Sequence, residues 1–514
     1  MNKKQIIGLS MIAGIGIGLC MGLCVESIHA DDYTSKPQTA TNLIQKDVVS
    51  LTLQSAVLMA LQNNASFQVE RIQSKLSQTD QKIQESAFDP ILSASLKGEG
   101  SRPSTATEGE TLYDIRDADR VSSDIRLKKL FSTGTTVEIG AGGSIQSIRN
   151  DLDKKNKDLN LELAVTQPLL QGAGSDVTLA RLRSAQIGIE ISTYELQAAA
   201  EGLVAQVEQA YWDDIMAEQS IEIHTKSLEI ANQQVEEVKE RIRVGKIAET
   251  ELAAAEAEAA SRHEQLIDAR GTLAKRQLNL IQLLGQGNNE NESSWSLEIK
   301  LNDAPQIPPL KLEDVKTYVQ RALQNRPDIN QARLKISQND IELVRTRNGL
   351  LPKLDLFISL GGSRYATSFS DTIDRDGDSI SYVTGLNFQM PLFNQNAKAV
   401  HEKSLLTNEQ AKIALRNMEQ LIQVDVRSAF VDVERMNEKM KATRVTRNLR
   451  EKTLNIEVEK FRIGRSTTFL VSQARRDLVS SQIDEIQSMI EYRKALMNLY
   501  RLEGALLKRW RISL

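Results

Sequence analysis

The apolar positions change period twice along the chain, both times at the same kind of joint. From Pro327 to Leu351 the pattern is helical, and proline suits the first turn of a helix, where its missing N–H leaves nothing unpaired. Pro352 disfavours α geometry at Leu351. Beyond it Leu354, Leu356, Ile358 and Leu360 alternate with Asp355, Phe357 and Ser359, the period of a strand. A helix running straight into a strand is uncommon, and here it occurs twice. Ala60-Leu-Gln-Asn63 matches Ala322-Leu-Gln-Asn325, Arg71 matches Arg333, Pro90 matches Pro352 and Leu92 matches Leu354, each pair about 262 positions apart. Most residues between these anchors differ, so the chain is an internal duplication.

The remaining elements follow in the same order in both repeats. Helices are expected over Leu53 to Leu61 and about Ala65 to Ser86, then a strand over Ile91 to Lys97. Leu159, Leu161, Leu163 and Val165 alternate before Gln167-Pro168, as Ile380, Tyr382, Leu386, Phe388 and Met390 do before Pro391. Pro90 to Pro168 is twice the distance from Pro352 to Pro391, so the first repeat carries 39 extra residues. They hold a hairpin pattern, Ile125-Arg-Leu127 and Val137-Glu-Ile139 around Ser-Thr-Gly134-Thr, which either adds two strands or folds outside the wall.

After the Gly172-Ala-Gly174 break, Ser175 can cap a helix reaching about Arg243, some 100 Å at 1.5 Å per residue. Leu228, Ala231, Val235, Val238 and Ile242 form a coiled-coil seam on it. Past Gly245 the return, about Thr250 to Leu284, is half as long, so the strand-side half needs another partner; the helix at 65–86 has that length. The second repeat runs from about Ala397 to Phe461, breaks at Gly464, and returns from about Thr468 to Tyr500. The reading is a polar leader (31–50), a first repeat (51–286; strands 91–166, hairpin 175–284), a linker (287–310), a second repeat (311–505; strands 353–390, hairpin 397–500) and a tail (506–514). The fold class is mostly α with a β-barrel portion: duplicated long helical hairpins plus strands.

A formal net charge of −4 argues against a nucleic-acid partner. All ten prolines lie at or before Pro391 and none falls between Pro168 and Pro305, as long unbroken helices require. Lys3 and Lys4 precede an apolar run from Ile6 to Val25, and Ile28-His-Ala30 is a cleavage site, so residues 1–30 read as a signal peptide. Cys20 and Cys24 both lie inside it, leaving an exported mature chain without cysteine. No later apolar run reaches the roughly 18 residues of a spanning helix. A membrane crossing would have to use strands, and a few strands per chain do not close a barrel, so copies must share the wall.

With these features the chain resembles the TolC-like outer-membrane efflux and type I secretion channel family, the outer membrane factors. The resemblance spans the mature chain and rests on the duplicated element order, on Gln167-Pro-Leu-Leu170, on Ala210-Tyr-Trp212, and on the turns Arg243-Val-Gly245 and Arg462-Ile-Gly464. It implies a homotrimer whose strands close one barrel in outer-membrane lipid and whose helices continue it as a periplasmic tunnel. A periplasmic adaptor (a membrane fusion protein) and an inner-membrane pump complete the system, with no enzyme activity and no cofactor.

The candidate site is the pair of tips: Arg243, Val244 and Gly245 in the first repeat, and Arg462, Ile463, Gly464, Ser466 and Thr467 in the second, where the resemblance places adaptor contacts. Glycine just past a helix end is also ordinary capping. Family members carry entrance carboxylates where this chain has Leu470 and Gln473, so that acidic ring is absent. Glu251 and Arg465 flank the two tips with opposite charge and are the candidate entrance latch, against two solvated charges worth under about 1 kcal/mol. Asp374-Arg-Asp376-Gly377-Asp378 lacks the closing glutamate of a calcium loop and reads as a solvated turn, and His224, His263 and His401 fit no metal spacing. Trp212 is expected to pack between helices. The alternative to an export duct is an exported structural coiled-coil protein.

Overall fold

The computed structural model describes residues 48–101, 117–149, 154–245, 247–285, 298–303, 312–366 and 379–512. The expected signal peptide, most of the expected leader and Asp374–Asp378 lie outside the described residues. Helices α1 (Leu53–Asn63) and α2 (Ala65–Glu85) open the first repeat. Thr52 and Ser55 form a reciprocal capping box: the Ser55 N–H donates to Thr52 Oγ1 at 3.3 Å and the Thr52 N–H to Ser55 Oγ at 2.9 Å. Asn64 caps α2 by accepting the Phe67 N–H at 3.1 Å.

Strands β1 (Val48–Leu51), β2 (Ile91–Ser101), β3 (Asp117–Leu130), β4 (Thr136–Arg149) and β5 (Lys154–Pro168) lead to the one-turn α3 (Ser175–Thr178) and then to α4 (Ala180–Arg243) and α5 (Thr250–Leu283). After β6 (Glu298–Leu301) the second repeat contains α6 (Val315–Asn325), α7 (Pro327–Asn348), β7 (Lys353–Ala366), β8 (Ser379–Gln389), α8 (Gln395–Arg462) and α9 (Thr468–Leu502), followed by the short α10 (Leu506–Arg509). Proline stands in the first turn of α7, and α6, α7 and β7 begin at the offset the sequence anchors required.

Six strands form one antiparallel sheet in the order β2-β3-β4-β5-β7-β8. The 39-residue insert therefore supplies β3 and β4, which pair along their lengths with β2 and β5. Where strands become helices the two repeats are bonded together: Asn348 at the end of α7 accepts the Gly172 N–H at 2.8 Å and donates to the Leu170 carbonyl at 3.2 Å.

The long helices α4 and α8 have 64 and 68 residues, about 100 Å each. Their returns, α5 and α9, have 34 and 35 residues. The uncovered strand-side halves receive α2 on α4 and α7 on α8, so a two-part strand of helix completes each hairpin. The main core draws on both repeats, with Val204, Tyr211, Leu280, Ile422, Val426, Ile490 and Leu499 all fully or almost fully buried. A second, smaller core near the tip joins Val235 and Val238 of the seam to Ala255.

Two segments differ from expectation. β6 falls within the linker and pairs in parallel with β1, which begins inside the leader, with Leu51 opposite Leu301. Four-residue strands show too few alternations to register as a period. The tail also packs inward: Leu506 and Leu507 of α10 are buried in the main core.

Candidate functional site

Each tip is a glycine in the left-handed region, Gly245 at φ 71° and Gly464 at φ 75°. There the glycine N–H turns back onto a helix carbonyl, Ile242 at 2.9 Å and Phe461 at 3.1 Å. Arg243 pairs with Glu240 and Arg462 with Glu459, one helical turn back in each case, at 2.5 and 2.8 Å. Val244 and Ile463 between them are exposed (53% and 67%), so each tip shows an apolar side chain beside a cation. In the second tip Thr467 caps α9 through the Leu470 N–H at 3.3 Å, and Ser466 Oγ donates to Glu457 Oε2 at 2.9 Å.

Among the described residues no ion pair or side-chain hydrogen bond joins Glu251 to Arg465, and their backbone N–H groups bond Ala248 and Lys460. The hairpins are linked elsewhere. The Arg241 guanidinium lies 4.7 Å from the Phe461 ring centroid, connecting α4 to α8 immediately above the tips. Arg475 donates to Gln234, and Arg476 bridges Glu258 at 2.7 Å, while Glu258 also holds the buried Arg262 at 2.6 Å. Burial pushes the Arg475 guanidinium below its usual pKa.

Residues at equal height above two adjacent tips are neighbours, and Gln234, Glu258, Arg475 and Arg476 all lie about 11 to 13 positions from the tip glycines. The missed signal was the Arg475-Arg476 pair on the return helix. Leu470 and Phe469, nearer the tip, are exposed apolar residues, and Arg476 also lies 5.9 Å from the Phe469 ring.

Nearer the middle of the hairpins, Tyr211 and Trp212 pack edge to face with centroids 5.7 Å apart, both buried, as expected of residues between helices. Arg493 lies 4.1 Å over the Trp212 ring. Asp213 is held by Arg276 at 3.3 Å and by Lys494. Its neighbour Asp214 is 1% exposed with neither carboxylate oxygen hydrogen-bonded. Burial, with Glu218 adding to it, raises its pKa to about 7, and burial raises that of Glu208 to about 7.

Among the described residues no group of three or more His, Cys, Asp or Glu side chains could hold a metal ion, and no helix is long and apolar enough to cross a membrane. Among the described residues the sheet ends in two unpaired edges, β2 and β8. α2 leaves Val69, Ile72, Leu76 and Ile83 exposed, and α8 does the same with Leu421, Val424, Val431, Val445, Leu449 and Ile456. Open edges and long apolar stripes together are what further copies of the chain would cover.

Comparison with known proteins agrees with this geometry. The chain is 23% identical over 279 residues to the outer membrane efflux protein BepC of Brucella suis biovar 1 (strain 1330). That stretch covers 54% of this chain and 58% of BepC, so the chain spans under two thirds of that relative's length. The fold is that of solved channels. A structure of the outer-membrane channel OprN superposes with a TM-score of 0.66 at 16% identity, covering 93% of this chain and 98% of that one. The Campylobacter jejuni CmeC outer membrane channel gives 0.64 at 17%, covering 94% and 95%. The family model described as outer membrane efflux protein matches residues 136–286 and 318–505, one segment in each repeat and well over half of the whole, and the chain belongs to that family.

Proposed function

We propose that the chain is the outer-membrane duct of a tripartite efflux or type I secretion system. Three copies form the channel, a periplasmic adaptor engages the tips, and an inner-membrane pump supplies the energy. The observation that carries this reading is the joint between a six-stranded sheet with one apolar face and hairpins about 100 Å long. Paired Arg-(Val/Ile)-Gly tips stand at the far end from the strands. A sheet with an exposed apolar face is stable in lipid and a liability in water. That disfavours the alternative, an exported structural coiled coil. Arg243, Val244, Gly245, Arg462, Ile463, Gly464, Ser466 and Thr467 are the proposed adaptor surface.

The resting entrance is held by Arg476–Glu258, Arg475–Gln234 and Arg241–Phe461, links small enough for adaptor binding to break. Glu251 and Arg465, which do not pair within one chain, keep a latch role only where neighbouring chains meet. The test is reconstitution of detergent-purified protein into planar bilayers. Expected are a mass of three mature chains and discrete single-channel steps that increase when the adaptor's helical hairpin is added. A monodisperse monomer that leaves bilayers non-conducting would refute the duct.

A further inference from the structure

The extra hairpin β3–β4 obeys the same two-faced pattern as the four strands the repeats share. Directly opposed residues across antiparallel strands lie on one face of a sheet. Across all six strands one such row reads Leu92, Leu127, Ile139, Leu163, Leu360 and Tyr382. The next row is Ala94, Ile125, Ala141, Leu161, Gly362 and Ile380. Both rows are uninterrupted by a polar side chain other than the Tyr382 hydroxyl, and most of their large members are solvent-exposed in the single chain.

The opposite face is polar and cross-linked through the hairpin. Arg126 pairs with Glu138 at 3.0 Å, and Arg120 Nε donates to Ser144 Oγ at 3.1 Å. The Ser144 hydroxyl in turn donates to Asp158 on β5, and Ser359 on β7 donates to Glu162 at 3.1 Å. Gly142 of β4 makes room for this layer, since a Cβ there would lie 2.5 Å from Asp124 Oδ1.

The turn between β3 and β4 is also fitted to the joint. The Gly174 N–H donates to the Thr133 carbonyl at 3.2 Å, and Thr135 Oγ1 donates to Gln167. Gly134 sits at φ +89°, where a Cβ would come 2.5 Å from the Gly172 carbonyl oxygen. A hairpin folded outside the wall would need neither the continuous apolar rows nor this seat.

We infer that β3 and β4 are wall strands, so that three copies of this chain close a barrel of eighteen strands instead of the twelve that the duplicated strand pairs alone would make. The inference rests on the trimeric-duct reading. The open β2 edge of each copy pairs with the β8 edge of the next. β2 leaves the joint and β8 returns to it, so an even number of strands keeps every neighbour antiparallel. With strands about 4.8 Å apart and tilted by about 40°, the backbone diameter rises from roughly 24 Å to roughly 36 Å. Twelve tunnel helices at about 8–10 Å spacing enclose a similar circle, so the wider wall meets the tunnel without narrowing. The outer exit is then porin-sized, and the size limit on cargo is set at the helical tips.

The test places a fluorophore on single cysteines in the trimer, in vesicles. Cys20 and Cys24 precede the expected cleavage point, so the introduced thiol is the only one in the mature chain. Labels at Leu127→Cys and Ile139→Cys should be quenched by brominated phospholipid within about two-fold of controls at Leu163→Cys and Leu360→Cys, and labels at Lys128→Cys and Gln146→Cys by aqueous iodide instead. Iodide quenching at Leu127→Cys and Ile139→Cys, with controls still lipid-quenched, would place the hairpin outside the wall and overturn the inference alone. Controls that fail as well would overturn the duct reading and this inference with it. Electron microscopy of the trimer gives the independent count, eighteen strands against twelve.

Discussion

The Tyr211 hydroxyl donates a 2.8 Å hydrogen bond to Asp303 Oδ2, tying the middle of α4 to the segment that precedes the second repeat. The same oxygen accepts the Leu53 N–H at 2.7 Å, at the start of α1, where a helix N-terminus favours negative charge. One carboxylate thus joins the first repeat's opening helix, its long helix and the connection between repeats. Tyr211→Phe is expected to cost about 1–2 kcal/mol. Asp303→Ala should cost more, since it leaves the Leu53 N–H without its acceptor and the Tyr211 hydroxyl with only the Leu51 carbonyl at 3.1 Å. Thermal unfolding of the purified protein measures both, and equal melting temperatures in all three proteins would show that the anchor contributes nothing.

Asp214 and Glu208 make stability depend on pH in a stated direction. A carboxyl whose folded pKa is raised to about 7 binds its proton more tightly when folded. Its stabilising contribution is complete below the unfolded value near 4 and is lost as pH rises through about 7. Asp214→Asn should therefore stabilise at pH 8, by up to about 4 kcal/mol, and change little at pH 4. Melting curves at the two pH values check this, and a gain confined to the acid side would contradict it.

The entrance links predict a coupled pair. Arg476→Ala and Glu258→Gln should each raise resting conductance, by about five-fold if the pair contributes about 1 kcal/mol to closure. The second change should add little once the first is made. Glu251→Gln and Arg465→Ala should show the same non-additivity only if those residues meet between chains. Single-channel recording separates the cases. Wild-type conductance in all four variants would move the gate away from this end of the tunnel.

Gly464 and Gly134 are both in the left-handed region, but their surroundings differ. Nothing lies within 4 Å of a Cβ at Gly464, whereas Gly134 faces the Gly172 carbonyl at 2.5 Å. Gly464→Ala should carry the conformational cost alone, about 1–2 kcal/mol at the tip, weakening adaptor capture while lowering the melting temperature less than Gly134→Ala does. Gly134→Ala adds overlap and should lower the protein's melting temperature, with about 1–3 kcal/mol from the clash in addition. Adaptor pull-down and thermal melting, run on both variants, should show opposite sensitivities.

The duplication, the helix-to-strand joints, the hairpin lengths and the tip glycines were all legible from the chain alone. Each is written locally: a proline that stops a helix, a period that changes from 3.6 to 2, a glycine past a helix end. Local rules did not reveal the β1–β6 ladder, because four residues hold too few alternations and its strands lie about 250 positions apart. Nor did they reveal which charges meet near the entrance. Glu251 and Arg465 flank the tips in sequence, yet Arg476 reaches Glu258 because the packing of α9 against the first hairpin sets which helical levels face each other. Whether the insert joined the wall was likewise a question of register. Only pairing Leu127 with Leu92 on one side and Ile139 on the other shows that its apolar face continues the sheet's. Period predicts an element, and the partner across the interface decides which of its faces is used.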